Sequence, residues 1–149
     1  MKLSDHFSLS ELTKSETAIR KGIDNTPNSE EIANLILLCT EILEPVREHY
    51  GIPFTPSSGF RCLDLNWEIG SSDKSQHILG KAVDFEVPGK DNKEDALWDM
   101  DNCDFDQLIL EFYKEGEPSS GWVHCSYDAD KEHRKSARIF DGSTWTALG

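Results

Sequence analysis

The run Lys81-Ala82-Val83-Asp84-Phe85-Glu86-Val87 alternates strictly, with Val83, Phe85 and Val87 on one side and Ala82, Asp84 and Glu86 on the other. Period-2 alternation of this kind predicts a half-buried β-strand. It turns Asp84 away from the apolar row. Just upstream, Ser75-Gln76-His77-Ile78-Leu79-Gly80 places an imidazole at the mouth of a loop and a glycine where the backbone must turn into the strand. A second segment, Gly121-Trp122-Val123-His124-Cys125-Ser126, sets Trp122, His124 and Ser126 on one face. If the two segments are sheet neighbours, His77, Asp84 and His124 converge. Two imidazoles and a carboxylate supply three N/O ligands to a zinc ion and leave a fourth position for water, the arrangement of a hydrolytic zinc site.

The rest of the chain must bring those segments together. Ser8-Leu9-Ser10-Glu11-Leu12 carries a capping-box pattern and predicts a short helix near the N-terminus, read as a lid or clasp. After the turn-rich Asp24 to Asn28, Ser29 is the expected cap of a longer helix. Ile32, Leu35, Ile36, Cys39, Ile42, Leu43 and Val46 recur there at helical spacing, as far as Tyr50-Gly51. Pro53 and Pro56 break the chain, Phe54 to Phe60 reads as extended, and a short helix is expected around Leu63 to Ile69, followed by the polar loop Gly70 to Ser75. Ala96, Leu97 and Met100 suggest another helix. Asp106 to Phe112 and Gly121 to Tyr127 read as two strands, and Ala137 to Leu148 as a hairpin across Asp141-Gly142. This order predicts one α+β domain over residues 1–149, with a small, mostly antiparallel sheet flanked by helices.

The 149 residues suffice for one core without staples. A net charge of -13 disfavours nucleic acid and anionic lipid as partners, since both are held through Lys and Arg contacts to phosphate. Most of the excess acid, in Asp91 to Asp106 and Glu115 to Glu117, is read as surface. The opening Met1-Lys2-Leu3-Ser4-Asp5-His6 turns polar at once and no stretch is apolar enough to span a bilayer, so the expectation is a monomer made in the cytoplasm without a signal peptide or membrane insertion. Cys39, Cys62, Cys103 and Cys125 show no CxxC pair and are read as reduced thiols.

Amide hydrolysis also needs a group to take a proton from water and return it to the leaving amine. Glu111, at the end of Gln107-Leu108-Ile109-Leu110-Glu111, is the candidate because that strand is expected to pair with the one carrying His124. Arg61, in Ser58-Gly59-Phe60-Arg61, can hold a substrate carboxylate through its planar fork. Ser75, Gln76 and Trp122 complete the substrate-binding candidates, with Ser75 and Gln76 equally able to shape the loop. Cys125 alternates away from His124 and has no base beside it, which excludes a thiol nucleophile.

Ser58-Gly59-Phe60-Arg61, Asn66, Ser75-Gln76-His77 with Gly80, Ala82 and Asp84, and Trp122-Val123-His124 together resemble the zinc DD-carboxypeptidases, a family that also contains phage L-alanyl-D-glutamate peptidase endolysins. The likeness runs from about Phe7 to Tyr127. The resemblance implies a hedgehog/DD-peptidase-like fold, one zinc ion on His77, Asp84 and His124, and cleavage of peptidoglycan stem peptides. Many members carry an Asp or Glu three residues before the last histidine ligand, where this chain has Gly121. Glu111 is assigned as the base by analogy with members that have a strand glutamate before a Trp-Val-His motif.

Two other functions are weighed against the peptidase. Gly121 keeps open a catalytically silent, zinc-containing cell-wall binding module. The abundance of acids admits a carboxylate-pair glycosidase, although no pair stands out. An unsignalled chain suits a phage or prophage endolysin better than an exported carboxypeptidase.

Overall fold

The structure is a computed structural model that describes every residue except Asp73, so that residue of the expected 70–75 loop lies outside the described residues. The N-terminal helix α1 (Leu9–Thr13) has the expected capping box: Ser8 and Glu11 satisfy each other's backbone N–H groups. Leu12 is fully buried and its carbonyl accepts from the Phe60 N–H at 2.8 Å, so the helix is a clasp fixed to the core. A further helix, α2 (Glu16–Lys21), was not expected from the sequence; Ser15 caps it and Gly22 ends it.

Helix α3 (Ser29–Leu38) is capped by Asn28, not Ser29, through a capping box with Glu31. It runs through a π-helical turn (Cys39–Leu43) into α4 (Glu44–Tyr50). The π turn carries the chain past Pro45, which has no N–H to give to a regular ladder. It also shifts the apolar face. Leu35, Leu38, Cys39, Ile42, Leu43 and Val46 are buried, while Ile36 is exposed, contrary to a single unbroken helical stripe.

Beyond α5 (Leu63–Ile69) and a 3₁₀ turn (Gln76–Leu79), five strands form one sheet among the described residues: β1 (Ala82–Phe85), β2 (Gln107–Glu111), β3 (Trp122–Ser126), β4 (Ser136–Phe140) and β5 (Trp145–Ala147). Their order is β1-β3-β2-β4-β5, all neighbours antiparallel except β2 and β4. This is the expected α+β class. One sheet face, with Val83, Phe85, Leu108, Leu110, Val123 and Cys125, packs with the α3–α4 side chains into one core. The other carries Asp84, Glu111 and His124.

Strand β1 departs from the half-buried expectation, since all four of its residues are buried. Its polar side is covered as well as its apolar side. The segment at Ser57 and Ser58 lies along its free edge, with the Asp84 N–H donating to Ser58 O at 2.8 Å and the Ser57 N–H to Asp84 O at 2.9 Å. An edge that would otherwise stay open is closed.

The expectation that the acids of 91–106 lie on the surface fails at three positions. Helix α6 (Asn92–Asn102) packs against the sheet, and Asp95 and Asp99, one turn apart, are on its inner side with no exposed area. None of their carboxylate oxygens finds a hydrogen-bond donor among the described residues. Asp106 is also fully buried, but amply bonded. The four cysteines are free thiols. No helix among the described residues is long and apolar enough to cross a membrane.

Candidate metal centre and active site

The register of the sheet brings the distant segments together. Asp84 on β1 is opposite His124 on β3, and Ile109 on β2 is opposite His124 from the other side. Strand alternation then puts Glu111, Trp122, His124 and Asp84 on one face. His77 reaches the same place from the 3₁₀ turn, whose entry Ser75 caps by accepting from the His77 N–H at 3.2 Å. Gly80 ends the turn at φ 73°, and a Cβ there would lie 2.8 Å from the Glu31 carbonyl of α3.

Asp84 Oδ1 lies 2.8 Å from His124 Nδ1 and 3.3 Å from His77 Nε2. Ligands about 2.0–2.1 Å from a tetrahedral zinc ion stand about 3.3 Å from one another, so these spacings are close to the edges of such a tetrahedron. The three residues form one group able to hold a metal ion. The donor set fits zinc in type as well as spacing. His77 Nδ1 is 2.7 Å from Gly59 O, and since a carbonyl only accepts, Nδ1 carries the ring proton and leaves the Nε2 lone pair facing Asp84.

Electrostatics keep the group in ligand form. Burial lowers the pKa of His77 against the opposing pull of Asp84, favouring the neutral imidazole. Burial pushes Asp84 upward, but the two imidazoles beside it, His124 Nδ1 at 2.8 Å and His77 Nε2 at 3.3 Å, outweigh burial and hold it well below the usual carboxylate range. Arg61 adds a cation: its Nη2 is 3.5 Å from Asp84 Oδ2, and its Nε donates to Ser58 Oγ at 2.9 Å.

Glu111 is partly buried at the rim of the same face, directly opposite Trp122, whose indole N–H donates to Glu111 Oε2 at 2.8 Å. Burial raises its pKa, with Asp84 adding to the rise and His124 opposing it. Gly121 has φ 66°, and a Cβ there would stand 2.1 Å from Glu111 O and 2.8 Å from Tyr113 N. No side chain fits at that turn.

The other candidates separate. Arg61 and Ser58 border a pocket of about 540 Å³ on one side of the centre. Gln76 borders one of about 450 Å³ on the His124 side, and its Nε2 donates to Asp106 Oδ2 at 3.3 Å. Ser75 serves its own turn, and Trp122 is bonded to Glu111. Asn66, noted in the sequence pattern, is fully buried and closes the following loop by donating to Ser72 O at 2.8 Å. Cys125 is buried with its thiol pKa pushed far up by desolvation, in keeping with an inert side chain.

Sequence reasoning missed the Gly59 carbonyl and Asp106. A backbone acceptor leaves no side-chain signature, and Asp106 looked like one acid among many until its bonds to Gln76 and Arg134 were visible.

No curated protein matches the chain. The family model described as Peptidase M15 matches residues 5–126, from the N-terminal clasp through the end of the strand that carries His124. With the His-Asp-His group, the strand register and most of its length all within that match, the chain belongs to the Peptidase M15 family.

Proposed function

We propose that this chain is a zinc peptidase that hydrolyses peptide bonds in peptidoglycan stem peptides, with His77, Asp84 and His124 as metal ligands and Glu111 as the proton carrier. The observation that carries the reading is the pairing of the His-Asp-His group with a partly buried glutamate on the same sheet face. A zinc ion held there supplies a water of pKa about 7 and a Lewis acid for the scissile carbonyl.

The side chains provide the rest. Glu111, its pKa raised by burial, takes a proton from the attacking water and returns it to the departing amine. Trp122 fixes one Glu111 oxygen and leaves the other free for that transfer. Gly59 O sets the His77 ring and its tautomer. Arg61 stands beside Asp84 at the mouth of the 540 Å³ pocket, where its remaining donors can take a substrate carbonyl or carboxylate.

A steric requirement at Gly121 lessens the support that this glycine gives to a silent binding module. The glycine satisfies a turn that excludes any side chain, and the acid is supplied from β2 instead. A phage endolysin is a biological setting that suits this activity.

The test is digestion of purified cell wall by zinc-loaded wild type, Glu111→Gln and His124→Ala, counting new amino termini and measuring bound metal. Release by the wild type alone, with zinc retained in Glu111→Gln and lost in His124→Ala, is expected. Background release by all three would remove the peptidase reading and favour a binding module. New reducing ends without new amines would mean a glycosidase.

A further inference from the structure

The 450 Å³ pocket beside His124 has an unusual wall for a chain of net charge -13: Lys74, Lys131 and Arg134 line it, against one acid, Asp128. That acid is already engaged, its Oδ1 accepting from the Lys81 ammonium at 2.9 Å. Two of these cations, Lys131 and Arg134, are held by Asp106, which has no exposed area. It accepts from the Arg134 backbone N–H at 2.9 Å, from Arg134 Nε at 3.2 Å and Nη2 at 2.8 Å, from Lys131 Nζ at 3.1 Å and from Gln76 Nε2 at 3.3 Å. One buried carboxylate thus anchors two cations and an amide.

That arrangement does more than tie the loop down. Guanidinium has five N–H donors and ammonium three, so after Asp106 is served Arg134 keeps three and Lys131 two. Both side chains remain about half exposed, at 53% and 42%. With the rotamers fixed in advance, an anionic group entering the pocket meets oriented donors at reduced entropic cost. Lys131 and Arg134 also lie beyond residues 5–126, so these two cations come from the part of the chain outside the family match.

We infer that the Gln76–Lys131–Arg134 pocket is a specificity subsite that binds a carboxylate of the substrate peptide next to the scissile bond. The inference rests on the peptidase reading and deepens it. Carboxylate here means either the chain-terminal group or a side-branch group of an acidic peptide, since the same donors recognise both.

Three synthetic stem-type peptides separate these sources: one with all carboxylates free, one with only the terminal carboxylate amidated, and one with only the side-branch carboxylate amidated. Binding to zinc-loaded Glu111→Gln is measured by calorimetry, and KM and kcat on wild type. Amidation of the recognised carboxylate is expected to weaken binding about tenfold and to raise KM more than it lowers kcat. Adding Lys131→Gln and Arg134→Gln together should erase that difference while leaving affinity for the amidated peptide unchanged. Lys131→Gln alone keeps the Arg134 bonds to Asp106, so it guards against loss of folding and should shrink the difference to about threefold.

Three results would overturn the assignment: equal binding of all three peptides by the parent, a preference that survives both substitutions, or equal weakening of free and amidated peptides. Failure of the peptidase reading looks different, as absence of new amino termini from the zinc-loaded wild type. Failure of the subsite alone leaves hydrolysis intact without carboxylate preference.

Discussion

Asp99→Asn should make the protein more stable at neutral pH and flatten its pH dependence. Asp95 and Asp99 share the inner side of α6, have no exposed area and have no hydrogen-bond donor among the described residues. Burial pushes Asp95 up to about 7, and burial together with the neighbouring Asp95 pushes Asp99 well above its ordinary value. The folded protein therefore binds these protons more tightly than the unfolded chain. The resulting stability is complete below about pH 4, the unfolded value, and is lost as pH rises toward the folded pKa. Each carboxyl contributes a slope of about 1.4 kcal/mol per pH unit in that window, so about three units cost on the order of 4 kcal/mol for one member of the pair. Against a total stability of about 5–15 kcal/mol this is large.

Asparagine at 99 removes one of the two ionisations and offers Asp95 an amide donor. Urea titrations at pH 5, 6, 7 and 8, with chelator present throughout, would measure it. The urea midpoint of the wild type should fall relative to the variant as pH rises from 5 to 7, the gap widening by up to about 1.4 kcal/mol per pH unit while Asp99 keeps its proton. His77, whose pKa is lowered, gives a contribution of opposite sign that is lost as pH falls below about 6.5, but both proteins share it and it cancels in the difference. Asp84 and Asp106, held low, lose their contributions only below this window. Parallel curves for the two proteins from pH 5 to 7 would refute the claim that Asp99 holds a proton in the fold.

Gly121→Ala combines a left-handed backbone with a 2.1 Å approach to Glu111 O and should cost roughly 2–4 kcal/mol, read as a lower urea midpoint; an unchanged midpoint would contradict the turn requirement. Glu111→Gln should cut peptide hydrolysis by about 10²–10⁴ with zinc content unchanged, so a loss of metal would assign Glu111 to the ligand set instead. Trp122→Phe removes the donor that lowers the Glu111 pKa, so the limb of the pH–rate profile that rises as Glu111 deprotonates should move to higher pH. An unmoved limb would separate that titration from Glu111.

Legibility followed the range of the interaction that decides each feature. The Ser8 capping box, the β1 alternation and the 141–142 hairpin are local, and the sequence pattern located them to within a residue or two. The convergence of His77, Asp84 and His124 was readable because residue types that are individually common sit at mutually restrictive positions, two on adjacent strands and one on the turn that leads into the first. The burial of Asp95 and Asp99 was hidden. Charge patterning assigns acids to water, and only the packing of α6 on the sheet, with tertiary contacts overriding that preference, takes them out of it.

The Ser58-Gly59-Phe60-Arg61 run shows how a readable motif can carry an unreadable reason. Its glycine looks like a loop residue, but a Cβ at 59 would lie 2.3 Å from the Leu12 carbonyl, at the point where the N-terminal clasp receives the Phe60 N–H. The same glycine's carbonyl receives Nδ1–H of His77. Close approach of the clasp thus sets the position of the acceptor that fixes the ring, while Ser58 and Arg61 on either side engage Asp84 through the backbone and the guanidinium. Four consecutive residues connect α1, the 3₁₀ turn and β1, and the ligand geometry depends on a helix whose side chains never reach the metal-binding group. A spacing pattern can mark those four residues, but the dependence exists only in backbone contacts between segments some fifty and twenty residues apart.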